Sequence, residues 1–99
     1  MSGEIKLSDL DIHPHLRARM MQRGVTKKEI EKTLEKGEDA RDAKFGTYGK
    51  VLIFLYNDYW EGKFYEQKEI TLYYKLVGEK TVVLTVKARY GKSFEEVSR

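Results

Sequence analysis

Apolar residues at helical spacing begin near the start of the chain, and the first such stretch covers residues 14–23. Pro14 suits the first turn of a helix, where its missing N–H has no partner to lose. Leu16 and Met20 lie four positions apart and form an apolar stripe along one side. Gly24 follows the stretch and favours termination there. The pattern therefore predicts a short helix with one buried side.

A second helix is predicted directly afterwards, because Thr26 and Glu29 have the spacing of a capping box. In that motif the hydroxyl and the carboxylate each accept a hydrogen bond from a backbone N–H of the first turn. Ile30 and Leu34 supply the apolar stripe, and Gly37 ends the segment. We expect the opposite side of this helix to face solvent.

Beyond the helices the chain is rich in β-branched and aromatic residues, which is typical of strands. Short segments that contain glycine separate three such runs and predict hairpin turns. Residues 38–49 are polar, contain two glycines and predict a loop with room for one short edge strand. The predicted strands are residues 51–59, 63–77 and 81–90, with turns at 61–62 and 78–80.

This order of elements predicts an α+β fold, in which two N-terminal helices pack on one face of a twisted antiparallel β-sheet. The chain has 99 residues, which is enough for one domain and too few for two independent cores. We therefore expect residues 1–99 to form a single domain.

Alternation along the strands predicts which residues share a face of the sheet. In the last hairpin, a three-residue loop would place Val82, Leu84 and Val86 with Ile70 and Leu72 on the face that the helices cover. The other face, called the second face below, would then hold three cross-strand pairs, which are Glu69 with Arg89, Thr71 with Lys87, and Tyr73 with Thr85.

In the first hairpin, a two-residue turn would place two pairs on the core face, which are Ile53 with Ile70 and Val51 with Leu72. Leu52, Phe54 and Tyr56 would then lie on the second face beside the polar pairs. Apolar side chains there need a cover, which a partner, a ligand or the 38–49 loop would provide. The second face is therefore the predicted working surface.

Composition narrows the chemistry that this surface could perform. Without cysteine the chain has no disulfide, thiolate metal site or thiol nucleophile, and its two histidines show no metal-ligand spacing, so we expect no metal and no cofactor. It contains no apolar run of about 18 residues and no signal peptide, so no membrane association and a cytoplasmic location are expected. The net charge of +3 favours an anionic partner such as nucleic acid without requiring one.

Three basic side chains follow one side of the first predicted helix. His15, Arg19 and Arg23 are spaced i, i+4 and i+8, so an imidazole and two guanidinium groups lie along a common stripe. Such a stripe could bind a phosphate and supply a proton near neutral pH. The alternative is an ordinary solvated basic helix face.

A second candidate set lies on the predicted strands. RNA cleavage without a metal needs a base for the 2′-hydroxyl, cations for the phosphorane charge and an acid for the leaving oxygen. The alternative is a cross-strand salt bridge on an exposed sheet, worth about 0.2–1 kcal/mol. The candidates are Glu69 or Lys68 as the base, Lys87 and Arg89 as the cationic clamp, and His15 or Tyr90 as the acid.

Aromatic residues surround the predicted 61–62 turn, with a lysine among them. Bases of single-stranded nucleic acid stack on such rings while the lysine binds phosphate. The alternative is that aromatic pairs simply stabilise the hairpin. The residues concerned are Tyr59, Trp60, Lys63, Phe64 and Tyr65.

Several segments of the chain resemble an uncharacterised family of small prokaryotic proteins that is grouped with RelE-like toxins in the barnase, EndoU, colicin and RelE superfamily. The opening motif is His15-Leu-Arg-Ala-Arg19-Met-Met-Gln-Arg23-Gly-Val25, followed by Thr26-Lys-Lys-Glu-Ile. The later segments are Trp60-Glu-Gly-Lys-Phe-Tyr65, Lys68-Glu-Ile and Val86-Lys-Ala-Arg-Tyr-Gly-Lys92. The resemblance extends over residues 13–92 and implies a RelE-like fold.

The resemblance also implies an activity, namely a toxin that cleaves messenger RNA without a metal, sometimes on the ribosome, and that a small protein antitoxin neutralises. The positions it carries over are His15, Arg19 and Arg23 on the helix, and Lys68, Glu69, Lys87, Arg89 and Tyr90 on the strands. Over the whole chain, and not from the resemblance alone, the residues expected to bind RNA are Arg23, Tyr59, Trp60, Lys63, Tyr65, Tyr73 and Lys92.

A second hypothesis is a non-catalytic module that binds RNA, the ribosome or a protein through the same face. Phe54, Tyr59 and Trp60 would then be anchors of the interface. The sequence leaves the oligomeric state, the RNA target and the identity of the general base open.

Overall fold

A computed structural model describes residues 7–94 and has the predicted α+β class. A short 3₁₀ turn, Asp9–Asp11, precedes the two helices, and the helices precede one antiparallel sheet whose strands lie in the order β1-β2-β3-β4. Contacts of α1 with β4, and of α2 with β2 and β3, place the helices against this sheet. The elements are α1 (Pro14–Arg23), α2 (Lys27–Lys36), β1 (Glu38–Asp39), β2 (Tyr48–Trp60), β3 (Lys63–Val77) and β4 (Lys80–Gly91).

Helix α1 has the predicted bounds. At its start, the Nδ1 atom of His13 accepts a hydrogen bond of 3.2 Å from the Leu16 N–H. Because Nδ1 accepts, the ring proton lies on Nε2, which donates to the Val83 carbonyl of β4 at 2.9 Å. Gly24 ends the helix with φ 71°, a left-handed conformation that glycine adopts without steric cost. His13 therefore fixes the start of α1 to the sheet.

Helix α2 confirms the predicted capping box. The Thr26 hydroxyl accepts from the Glu29 N–H at 3.1 Å, and the Glu29 carboxylate accepts from the Thr26 N–H at 2.9 Å. Ile30 and Leu34 are buried as predicted, and the helix ends before Gly37.

One hydrophobic core lies between the helices and the sheet. Helix α1 contributes Leu16 and helix α2 contributes Ile30, and both are fully buried. Burial of an aliphatic side chain of this size stabilises a fold by about 1.5–3 kcal/mol. The buried cluster comprises Ile12, Leu16, Val25, Ile30, Leu34, Ile70, Leu72, Val83 and Val86.

The hairpin of β3 and β4 has the three cross-strand pairs predicted for the second face, but it reaches them by a different route. Its turn has two residues rather than three, since Val77 pairs directly with Lys80. A β-bulge then adds one residue to β4 and restores the predicted register. The confirmed pairs are Glu69 with Arg89, Thr71 with Lys87, and Tyr73 with Thr85.

The bulge in β4 corrects the predicted core set. Tyr73 pairs with Thr85 and Tyr74 pairs with Val83, so Leu84 is the extra residue. Val83 takes the core position, whereas Leu84 lines a cavity on the second face. The prediction that Leu84 faces the core with Val82 and Val86 was therefore wrong for Leu84, and Val82 lies outside the buried cluster.

The register of the first hairpin was predicted correctly only near its turn. Trp60 pairs with Lys63 as expected, but a second bulge adds one residue between Leu55 and Asp58. Asn57, within this bulge, has φ 47°. A one-residue shift moves every subsequent side chain to the opposite face.

Beyond that bulge the predicted faces of β2 are exchanged. Leu52 pairs with Ile70, and Ile53 pairs with Glu69. Phe54 packs against the core rather than lying on the second face. Tyr56, also predicted for the second face, has its ring 5.2 Å from the Lys68 ammonium group.

The segment between α2 and β2 contains the short edge strand and the loop that the sequence predicts. β1 pairs with Lys50 and Val51 of β2, and within residues 7–94 no other strand pairs with the outer edge of β2. Residues 40–47 then lie against the second face, where the Tyr73 hydroxyl donates to the Asp42 carboxylate at 2.9 and 3.0 Å. Val51 is covered as a result and is 7% exposed.

Candidate functional site

The candidate site is an open groove of about 350 Å³ beside β4, the strand at one end of the sheet order. Two guanidinium groups, one ammonium group and one carboxylate line it, so its charge is predominantly positive. We call it the basic groove, and it is lined by Arg23, Glu69, Thr71, Lys87, Ala88 and Arg89.

The carboxylate of this groove is held in place by a paired hydrogen bond. Arg89 Nε donates to Glu69 Oε1 at 3.0 Å, and Arg89 Nη2 donates to Oε2 at 3.1 Å. Glu69 is mostly buried at 17% exposure, whereas Arg89 is 65% exposed and stacks on the Phe94 ring at 4.4 Å. An arginine has five N–H donors, so this pairing leaves Arg89 able to bind a further anion.

Lys87 remains a cation beside this pair. Its Nζ lies 5.3 Å from the centre of the Tyr73 ring and 3.8 Å from the Asp42 carboxylate. The pKa of Lys87 is raised above its ordinary 10.5. The main cause is hydrogen bonding to the Tyr73 hydroxyl, and electrostatic attraction to Tyr73 and Asp42 adds to it, whereas burial opposes the shift. Lys87 is therefore suited to binding an anion rather than to accepting a proton.

Among the helix residues that the structure describes, Arg23 alone lines the basic groove. It is the last residue of α1, and its backbone carbonyl accepts a hydrogen bond of 2.6 Å from the Tyr90 hydroxyl. Within the described part of the chain, no carboxylate lies at ion-pair distance from its guanidinium group. Arg23 can therefore offer its full charge to a ligand.

The structure places Lys68 away from Glu69, on the side of the sheet that faces the helices. Its side chain is 2% exposed, and its Nζ donates to the Gly24 carbonyl at 2.5 Å and to the Glu29 carboxylate at 2.9 and 3.1 Å. Adjacent strand residues point to opposite faces, so Lys68 and Glu69 cannot share one site. The prediction that Lys68 is an alternative base in this site is therefore wrong, and the role of Lys68 is structural.

Tyr90 also lies outside the basic groove, at the centre of an aromatic cluster. Its ring stacks on Trp60 at 5.1 Å and contacts Tyr56 at 5.4 Å and Tyr65 at 5.5 Å. Burial raises the pKa of the Tyr90 phenol well above 10.0, and its proton is donated to the Arg23 carbonyl. Tyr90 is therefore not placed as the acid of this site, but it holds the end of α1 that carries Arg23.

The stripe predicted on α1 does not act as one unit. His15 is exposed and its ring lies parallel to that of His13, with 6.2 Å between ring centres. Arg19 donates to the Gln22 side chain at 3.3 Å. Neither His15 nor Arg19 lines the basic groove, which only Arg23 of the three reaches.

The aromatic residues of the first hairpin divide into a half-buried and an exposed set. Trp60 and Tyr65 pack around Tyr90, whereas Tyr59 is exposed and contacts Phe64 edge to face at 5.4 Å. Structural packing, which was the alternative to RNA binding, thus accounts for Trp60 and Tyr65. Lys63, Tyr65 and Lys92, all predicted to bind RNA, line a separate cavity of about 390 Å³ with Phe64, Glu66 and Gly91.

Sequence reasoning missed Asp42, which contacts both Tyr73 and Lys87 on the second face. Asp42 lies in a polar loop whose composition is typical of solvated turns. The 38–49 loop is one of the covers predicted for the second face, but nothing in the periodicity of the chain indicates that Asp42 is the residue that contacts Tyr73 and Lys87.

A family model described as a domain of unknown function, DUF4258, matches residues 12–87. The chain belongs to the DUF4258 family. The matched span of this DUF4258 domain includes both helices and ends at Lys87, before Arg89 and Tyr90. Comparison with curated proteins and with solved structures finds no match.

Two structural properties of the DUF4258 domain bear on its chemistry. Within residues 7–94, no group of three or more histidine, aspartate or glutamate side chains is arranged to hold a metal ion. Neither helix of the described region has the length and apolar character needed to cross a membrane.

Proposed function

We propose that this DUF4258 domain is a RelE-like endoribonuclease toxin that binds RNA in the basic groove and cleaves it without a metal. One observation carries the proposal, namely that Arg23, Lys87 and Arg89 line one open groove together with Glu69, whose carboxylate Arg89 binds. The negative charge of a phosphodiester would bind to these three cations. A carboxylate beside the phosphodiester is the group needed to activate a 2′-hydroxyl.

In the proposed reaction, Glu69 removes the proton of the 2′-hydroxyl and the 2′-oxygen attacks the adjacent phosphorus. The bond from phosphorus to the 5′-oxygen breaks, which leaves a 2′,3′-cyclic phosphate on one product. A water molecule protonates the departing 5′-oxygen, and the hydroxide that remains takes the proton from Glu69, which restores the base. Arg23, Lys87 and Arg89 stabilise the additional negative charge on the phosphorane.

The ion pair between Glu69 and Arg89 is compatible with this role. An ionised carboxylate has about four lone-pair sites, of which Arg89 occupies two. A phosphate that binds Arg89 also competes for its N–H donors and thereby frees the carboxylate to accept a proton. The pair thus holds the base in a fixed position until RNA arrives.

The sequence resemblance to RelE-like toxins supports the same proposal and supplies its partners. RNA, free or on the ribosome, is the proposed substrate. A small protein antitoxin, which would block access to the basic groove, is the proposed inhibitor.

Cleavage of RNA by purified protein tests the proposal. We expect Glu69→Gln to lower the cleavage rate about 10²–10⁴-fold, because the amide cannot take the proton, while RNA binding is retained. Glu66→Gln is the matched control, since Glu66 is an exposed carboxylate of the same strand outside the basic groove. If wild-type protein, freed of contaminating nucleases, cut neither RNA nor messenger RNA on translating ribosomes, the enzymatic proposal would fail.

The cations are tested by the salt dependence of RNA binding. Arg23→Ala and Lys87→Ala are each expected to weaken binding and to reduce the slope of log K against log salt by about 1. Lys75→Ala, at an exposed position of β3 outside the groove, is expected to change neither quantity.

A non-catalytic RNA-binding module is the second candidate, and the paired hydrogen bonds between Glu69 and Arg89 favour it. This geometry is also that of a cross-strand ion pair with no role beyond positioning. Salt-sensitive binding of RNA without any cleavage would establish this function in place of the first.

A further inference from the structure

A second cavity on the second face has the size and lining of a ligand site. Its volume is about 400 Å³, within the range of pockets that hold small organic groups. The strands contribute a ring and an aliphatic side chain, while the loop contributes a carboxylate, an ammonium group and a hydroxyl. It is lined by Asp42, Lys44, Thr47, Tyr73, Leu84 and Thr85.

The β-bulge in β4 creates the apolar wall of this cavity. Leu84 is the extra residue of the bulge, and it lies half-buried outside the hydrophobic core. In a regular strand the side chains of Leu84 and Thr85 would point to opposite faces of the sheet, yet both residues line the cavity. Bulges commonly redirect a side chain beside a functional site, and here the redirected side chain is a leucine.

The opposite wall is a loop held in a fixed conformation. The Tyr73 hydroxyl donates its one proton to the Asp42 carboxylate, with both carboxylate oxygens within 3.0 Å. The Thr47 N–H and hydroxyl both donate to the Lys44 carbonyl at 2.9 and 2.6 Å. Gly49 lets this loop lie close, because a Cβ there would be 2.8 Å from Ala40 Cβ and 3.2 Å from the Tyr73 ring. The cavity is therefore preformed.

A third cavity, of about 300 Å³, joins this one to the basic groove. It shares Glu69, Thr71 and Lys87 with the groove, and it shares Asp42 and Tyr73 with the cavity below the loop. Because they share these lining residues, the three cavities lie side by side, and we call them together the trench. The basic groove at one end is predominantly positive, and the recess at the other end, beside Leu84, is largely apolar. This is the arrangement that a nucleotide chain requires, since its phosphates are charged and its bases are flat and largely apolar.

We infer that the recess between Leu84 and the 42–47 loop binds one unpaired nucleobase of a single-stranded RNA whose phosphates lie in the basic groove. This inference rests on the proposed RNA-binding function. Alternate residues of β4 are separated by about 7 Å, so Thr85, Lys87 and Arg89 form a row from the recess to the groove. An extended RNA strand can follow this row. A paired base in a duplex is stacked and cannot enter, so the substrate class is single-stranded RNA.

Filling the recess tests the inference. Leu84→Trp occupies the cavity, and Leu76→Trp makes the same change at an exposed position of β3 outside the trench. The probes are labelled short oligo(A), oligo(C) and oligo(U), single-stranded or annealed into duplexes, and their binding is measured by fluorescence anisotropy at several salt concentrations.

We expect the wild type to favour one homopolymer and to bind single strands better than duplexes. Leu84→Trp is expected to weaken binding of the favoured strand about tenfold, the loss that removal of one stacked base causes, and to abolish the preference without changing the salt slope. Leu76→Trp is expected to behave as the wild type does.

Each other outcome overturns the inference in a distinguishable way. Salt-sensitive binding with no base preference, unaffected by Leu84→Trp, removes the nucleobase site and leaves the proposed RNA function in place. Absence of RNA binding in the wild type removes both. If Leu84→Trp does not fold, titration of wild-type protein decides the matter, because the amide resonances of Thr47, Leu84 and Thr85 must shift on addition of oligonucleotide while that of Leu76 does not.

Discussion

At the scale of single residues, the buried Lys68 connects both helices to the sheet. Its buried ammonium group binds the Gly24 carbonyl at the end of α1 and the Glu29 carboxylate of α2, and it lies below the rings of Tyr56 and Tyr90. Desolvation of an ammonium group is costly, and these partners offset that cost. One strand residue thus connects both helices and the aromatic cluster to β3.

Replacement of Lys68 tests this connection. We expect Lys68→Met to lower the free energy of unfolding by about 2–3 kcal/mol, because methionine keeps the apolar stem but leaves the Glu29 carboxylate and the Gly24 carbonyl without their donor. Urea denaturation measures the change. Lys75→Met, at an exposed position of the same strand, should stay within about 0.5 kcal/mol of the wild type. An unchanged midpoint for Lys68→Met would mean that the charged contacts contribute nothing beyond packing.

Gly24 is a second residue whose identity the structure requires. Its φ of 71° is left-handed, and a Cβ there would overlap the Trp60 indole and lie 2.8 Å from the Tyr90 hydroxyl oxygen. We expect Gly24→Ala to lower the free energy of unfolding by about 2–4 kcal/mol, since backbone strain and overpacking add. Gly78→Ala isolates the strain, because Gly78 has φ 63° but no heavy atom within 4 Å of its would-be Cβ. Equal losses for the two variants would exclude the steric contribution.

At the scale of elements, two β-bulges decide which side chains reach each face. The helix bounds and the fold class could be predicted, because caps and apolar spacing are local signals. The bulges could not, because one inserted residue leaves the alternation on each side of it intact. The signal in β2 is faint and consists of Asn57, a residue type that tolerates left-handed backbone.

The residues of the candidate site could be predicted only where the pairing of the strands could be predicted. The pairing of Glu69 with Arg89 was predicted correctly because the bulge at Leu84 compensates for a turn one residue shorter than expected. Lys68 was grouped with Glu69 although neighbours on a strand point to opposite faces. The contact of Asp42 with Tyr73 spans 31 residues of sequence and left no periodic trace.

The capping box of α2 is expected to contribute measurably to stability. Thr26→Ala removes the side-chain acceptor of the Glu29 N–H and should lower the free energy of unfolding by about 1 kcal/mol. Thr26→Ser keeps the hydroxyl and should restore most of this loss. Thermal unfolding followed by circular dichroism compares the variants, and an alanine variant as stable as the serine variant would rule out the cap as the cause.

At the scale of the whole molecule, the two faces of the sheet separate stability from chemistry. The face under the helices holds the apolar core and the buried Lys68, whereas the basic groove lies along the β4 edge and the cavities beside it lie on the second face. Substitutions in the trench can therefore be tested for function with little loss of core packing.

The aromatic cluster makes the stability of the whole domain sensitive to alkaline pH. Burial raises the pKa values of Tyr90 and Tyr56 above their ordinary 10.0, with nearby negative charge adding to the shift. Above about pH 10 the unfolded chain loses these protons while the folded chain keeps them, so stability is complete below that pH and falls as pH rises further.

Urea midpoints measured from about pH 8 to about pH 11 should reveal this fall. Tyr90→Phe is expected to make it shallower, and to cost about 1 kcal/mol near neutral pH through loss of the hydrogen bond to the Arg23 carbonyl. Tyr59→Phe, at an exposed ring, is the control and should keep the wild-type slope. A wild-type midpoint that is constant over this range would contradict the assignment.

The extra residue between Leu55 and Asp58 also affects how copies of this chain meet at high concentration. β1 pairs with only two residues of β2, and in the described region no strand pairs with the outer edge of the row of backbone groups in residues 52–60. Within this row, the Tyr59 N–H donates to Asp58 Oδ1 at 2.7 Å and the Tyr59 carbonyl accepts from the Tyr56 hydroxyl at 2.9 Å. Such a row can template fibril growth when it is straight and long. Here the bulge, with Asn57 at φ 47°, divides it into two short halves that a straight incoming strand cannot follow in one register. We therefore expect the irregularity that exchanges the faces of β2 to make edge-to-edge pairing of copies less favourable.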